Sequence, residues 1–95
     1  MSKRDEYVAK LKAQLDEWNA DLDHLEVQAN LGKEDLKQEY QEQLAHMRKK
    51  RDEIRHKLTD LQQSSETAWE HLRSGIDSAG DALQEALKKA KASFK

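Results

Sequence analysis

Four histidines, His24, His46, His56 and His71, are the first side chains in this sequence whose spacing could hold a metal ion. No two of them stand four residues apart, so no helical two-histidine zinc face can form. Glu53 and His56 make a Glu-x-x-His unit, which di-iron bundles use in pairs together with further inward carboxylates. Ile54 and Leu58 mark the apolar side of the same stretch, which turns Glu53 and His56 outward. A solvated helix face is the reading, and no metal or other cofactor is expected.

The next candidate is Arg48-Lys49-Lys50-Arg51, a basic run that could contact phosphates within residues 46–57. A basic-region helix that reads DNA carries such a run beyond its zipper, with base-reading side chains along one face. Here the run lies inside the apolar pattern, and acidic counterparts exist elsewhere in the chain. Charge matching between helices is preferred to nucleic-acid binding. Residues 66–95 are amphipathic and end in Lys88, Lys89, Lys91 and Lys95, as a membrane-surface helix would. Their polar side, however, holds Glu66, Glu70, Asp77, Asp81 and Glu85. Docking of this face on another helix is preferred to a lipid surface. Nothing resembles a phosphate-binding glycine loop, a nucleophile elbow or a carboxylate pair in a pocket, so an enzyme is not expected and no small-molecule substrate is implied.

The elements that carry these residues follow from composition and period. Charged residues are 38% of the 95 and aromatics 5%, too little apolar surface for a broad globular core. Disorder or long helices packed along a narrow seam both suit such a chain. There is no proline to break a helix and no cysteine to form a disulfide or thiolate site. The charged N-terminus leads into no apolar signal, no stretch could span a membrane, and a cytoplasmic location is expected. A net charge of −2 gives no bulk attraction for nucleic acid or anionic lipid.

Periodicity decides for helices. Val8, Leu11, Leu15, Trp18, Leu22, Leu25, Ala29, Gly32 and Leu36 step alternately by three and four, the heptad pattern of a coiled coil. Tyr40, Leu44 and Met47 follow at an eleven-residue spacing. Heptads resume through Arg51, Ile54, Leu58 and Leu61. The stripe then continues as Trp69 with Leu72, Ile76, Leu83, Leu87 and Phe94, the apolar face of a C-terminal helix. Gln62-Gln63-Ser64-Ser65-Glu66 is the expected break, with a helix ending near Gln63 and another starting near Ser65.

The fold class is all-α. The expected architecture is a coiled-coil helix over 1–63, about 90 Å long, with a shorter amphipathic helix over 64–95 packed antiparallel as one structural unit. The alternative is a second turn at Gly32, which gives a three-helix bundle. Acids dominate 13–32 and bases dominate 46–57, so antiparallel pairing places unlike charges together. A crossing near Asp35 matches Val8 with Leu61, Leu11 with Leu58, Leu15 with Ile54, Leu22 with Met47 and Leu25 with Leu44. Trp18 then meets Arg51, where a cation–π contact is expected. The same pairing serves a hairpin or an antiparallel homodimer.

Ser2 through Asn19, Ala68 through Ile76 and the closing Ser93-Phe94-Lys95 resemble a family of short bacterial coiled-coil proteins. Some of its members are described as stress-response proteins. The resemblance implies a bacterial, cytoplasmic, stress-linked role and brings no catalytic or ligand residues with it. The functional expectation is a non-enzymatic scaffold or protective protein. It would self-associate through the seam residues from Val8 to Leu61 and contact client proteins.

Overall fold

The computed structural model describes residues 2–94. Three helices follow one another: α1 (Lys3–Leu31), α2 (Glu34–Gln63) and α3 (Trp69–Ser93). Ser2 starts α1, its Oγ accepting a hydrogen bond from the Asp5 amide at 3.2 Å, and Asp5 and Glu6 complement the positive end of the helix dipole. The second start is weaker. Lys33 offers α2 no side-chain cap, although Glu34 and Asp35 again lie in the first turn.

The chain turns at Gly32-Lys33, so residues 3–62 are not one continuous helix, and the three-helix alternative describes the fold. Gly32 does not end α1 through a left-handed backbone. Its φ and ψ are −72° and 171°, open to any residue, and its amide donates to the Ala29 carbonyl. Its small size matters instead. A Cβ at Gly32 would lie 3.3 Å from Tyr40 Cε2. The Tyr40 ring packs over this corner and stacks on Phe94, centroids 4.1 Å apart, while its hydroxyl donates to the Ser93 carbonyl. The turn thus lets α2 cover the seam of α1 within one chain, where a straight helix needs a second chain to do so.

The other break begins where the serines predict it, although α3 starts only at Trp69 and not near Ser65. α2 ends at Gln63, and the Ser64 amide and hydroxyl both return to the Leu61 carbonyl. Ser65 Oγ accepts from the Ala68 amide and its carbonyl from the Trp69 amide, which forms the turn that leads into α3. Gly75 and Gly80 lie inside α3 without interrupting it.

α1 and α2 are antiparallel, and α3 runs parallel to α1. Arg4 reaches the Ser64 carbonyl at one end of the bundle, and Tyr40 meets Phe94 at the other. The molecule measures 50 × 18 × 17 Å. Its core is a single column of apolar side chains: Leu11, Leu15, Trp18, Leu22, Leu25 and Ala29 from α1, Tyr40, Leu44, Met47, Ile54, Leu58 and Leu61 from α2, and Trp69, Ile76, Leu83, Leu87, Ala90 and Phe94 from the third segment. Val8 and Leu72 are half-buried at its edge. No polar or charged residue is buried among the described residues. None of their helices is long and apolar enough to cross a membrane.

Candidate functional site

α1 and α3 pack less extensively against each other than either does against α2. Between them runs an open groove of about 470 Å³, lined by Tyr7, Lys10, Gln14, Trp18, Asp77, Gly80, Asp81 and Gln84. Trp18 is its floor. The indole is almost wholly buried, lies against the backbone of α3 at Gly80, and donates its N–H to Gln84 Oε1 at 2.9 Å. A buried indole needs such an acceptor, and only α3 supplies it.

This overturns the expected meeting of Trp18 with Arg51. Arg51 Nη1 donates to Asn19 Oδ1 at 3.1 Å, and its guanidinium also holds Asp52 at 3.0 Å. Arg51 keeps its charge at the α1–α2 edge, while Trp18 points to the third helix. A two-helix seam has no place for that choice. The register itself is close to expectation. Asn19 with Arg51, Asn30 with Gln41 and Glu26 with Arg48 all fold about a point between residues 35 and 37. The acidic stretch therefore does meet the basic one, at Arg48 and Glu26, 3.0 Å apart.

The upper end of the groove is closed by four side chains. The Tyr7 and Trp69 rings are 5.9 Å apart, and the Arg73 guanidinium stands 5.6 Å and 5.8 Å from their centres. Both distances fit cation–π attraction. The Tyr7 hydroxyl donates to Asp77, whose other oxygen faces Arg73 Nε at 3.7 Å. Burial raises the Tyr7 phenol well above the ordinary tyrosine range. The hydrogen bond to Asp77 and that carboxylate's charge add to the shift, against a smaller opposing effect of Arg73. The phenol therefore keeps its proton and serves as a donor. The lower end is tied by Lys91 and Asp21 at 2.9 Å.

The other sequence candidates lie apart from this groove. Glu53 and His56 are exposed on α2, as the positions of Ile54 and Leu58 imply. In the basic run, Arg48 and Arg51 are engaged with α1 and with Asp52. Phosphate contact through residues 46–57 would fall to Lys49, Lys50, Arg55 and Lys57. The apolar face of residues 66–95 is packed against α1 and α2, so lipid binding through it requires α3 to leave the bundle. Sequence reasoning missed Tyr7, Arg73, Asp77 and Gln84 as a set. Their parallel α1–α3 pairing arises only after two turns, and no periodic signal records it.

Among the described residues, three large apolar side chains are exposed. Val27, Leu31 and Leu36 are 57%, 81% and 37% exposed, and all three flank the Gly32-Lys33 turn. No family model, curated protein or solved structure matches the chain.

Proposed function

We propose that this chain is a non-enzymatic helical scaffold or protective protein, linked to stress, that acts through its outer surface on other macromolecules and on copies of itself. The observation that carries this reading is the division of labour between inside and outside. One apolar column holds the helices together, and the charged residues, 17 basic and 19 acidic in sequence, are left to the periphery. A dense mixed-charge shell on a narrow rod keeps a protein soluble and its contacts reversible. The groove over Trp18 is open and shallow in chemistry: a neutral phenol, two amides, one lysine and two carboxylates. That set suits contact with a polar surface better than the activation of a bond.

The test is protection. A reporter enzyme that aggregates on heating is followed by light scattering, with this protein added in increasing amounts. Suppression at near-equimolar ratio, weakened by salt, is the expected result. Unchanged scattering at tenfold excess, roughly the point at which a weak binder would act, overturns the reading.

A further inference from the structure

We propose that the Gly32-Lys33 turn is a hinge through which two copies exchange α1, so that α1 and α2 fuse into one helix packed antiparallel against its counterpart. The inference deepens the self-association within the scaffold reading and rests on it.

Three observations meet at this turn. First, the apolar period runs through it. Ala29, Gly32, Leu36, Tyr40 and Leu44 keep seam spacing, so a helix continued across the joint would present one unbroken stripe. Second, the turn is weakly specified. Neither Gly32 nor Lys33 has a positive φ, Lys33 provides no side-chain cap, and the last turn of α1 holds no basic residue to stabilise its end. Third, the apolar residues without cover gather here. Leu36 occupies a seam position yet is left exposed in the hairpin, as is Leu31.

The register explains how a second copy would cover Leu36. Pairs across α1 and α2 fold about a point between residues 35 and 37. In an exchanged dimer that point becomes the two-fold axis, and Leu36 of one copy meets Leu36 of the other. Away from the joint nothing changes. Each half is still α1 against α2 and α3, with α1 drawn from the other chain, so the core of the hairpin is reused. Exchange of identical elements about a short joint is a low-cost route to a dimer.

The experiment is sedimentation equilibrium of the full chain and two variants, paired with chemical cross-linking. Lys33→Pro suits the observed turn, whose φ is −66° and whose preceding residue is extended, but it cannot continue a helix. It should be monomeric at every concentration. Gly32→Ala favours the helical joint and crowds Tyr40 in the hairpin. It should raise the dimer association constant by roughly ten- to a hundredfold. Cysteines placed by Glu26→Cys and Arg48→Cys, joined by a short bismaleimide, should link two chains in the dimer fraction and one chain in the monomer fraction. A dimer that survives Lys33→Pro, or whose cross-links stay within chains, overturns the hinge while self-association stands. Wild type and Gly32→Ala both monomeric throughout overturns the hinge and self-association together.

Discussion

The Trp18 indole fills the space that a side chain at Gly80 would enter: a Cβ there would lie 3.2 Å from Trp18 Cη2. Gly80 is therefore a packing residue inside a helix that would otherwise gain from alanine. At Gly75 the nearest atom to an added Cβ is the flexible Lys57 Nζ, 3.9 Å away. Gly75→Ala should stabilise the protein by about 1 kcal/mol through helix propensity alone. Gly80→Ala gains the same term but overpacks an anchored ring, at a cost of about 1–3 kcal/mol. A net loss of about 1 kcal/mol is expected. Thermal melts of the two variants side by side read the difference. An equal gain in both would mean that Trp18 moves aside freely.

Gln84 supplies the acceptor for the Trp18 N–H. Gln84→Met keeps much of the side-chain bulk and leaves that donor without its partner. The expected loss is about 1–2 kcal/mol, with a shift in tryptophan emission. Urea denaturation measures the first and fluorescence the second. Trp18→Phe should abolish the dependence on residue 84, so the double variant should be no less stable than Trp18→Phe alone.

Tyr7 makes stability sensitive to alkali. Its phenol is held protonated in the fold by burial and by Asp77, while in the unfolded chain it ionises near pH 10. A raised folded-state pKa means that this contribution is complete below the unfolded value and is lost as pH rises above it. Wild type should therefore lose stability above about pH 10 more steeply than Tyr7→Phe. Parallel melts at pH 8 and pH 10.5, roughly either side of that value, would show it. Equal slopes for the two proteins would remove Tyr7 from the account.

The ion pairs on the outside should matter little by comparison. Glu26 with Arg48 and Asp21 with Lys91 are well formed but partly exposed. Double-mutant cycles should give a coupling of about 0.2–1 kcal/mol for each. Leu25→Ala, which removes a fully buried side chain from the column, should cost about 2–5 kcal/mol. A coupling above that range at either ion pair would mean that charge, and not the apolar column, holds the register.

Much of the fold could be read from the sequence because one stripe of side chains does most of the packing. The three- and four-residue steps from Leu11 to Leu61 are the residues that α1 and α2 bury, apart from Gly32, Leu36 and Arg51. The break after Gln63 follows from serine's taste for backbone hydrogen bonds. The turn at Gly32 was harder, because a heptad states that a helix has a partner and is silent on whose helix it is. Hairpin and dimer share one register. The groove was harder still. Tyr7 meets Asp77, and Trp18 meets Gln84, across parallel helices joined through the whole of α2. Such pairs leave no period in the sequence.

Lys33 is the sole lysine or arginine among the described residues that lies outside a helix. Trypsin needs an extended substrate backbone, so the other basic sites are shielded by their own helical hydrogen bonds until the bundle opens. One cut after Lys33 would divide the chain into a fragment bearing α1 and another bearing α2 and α3, still clasped by the full apolar column. A protease could thus sever the covalent tie between the first helix and the rest while leaving the particle its size and shape, turning one chain into a two-piece complex whose parts can be traded.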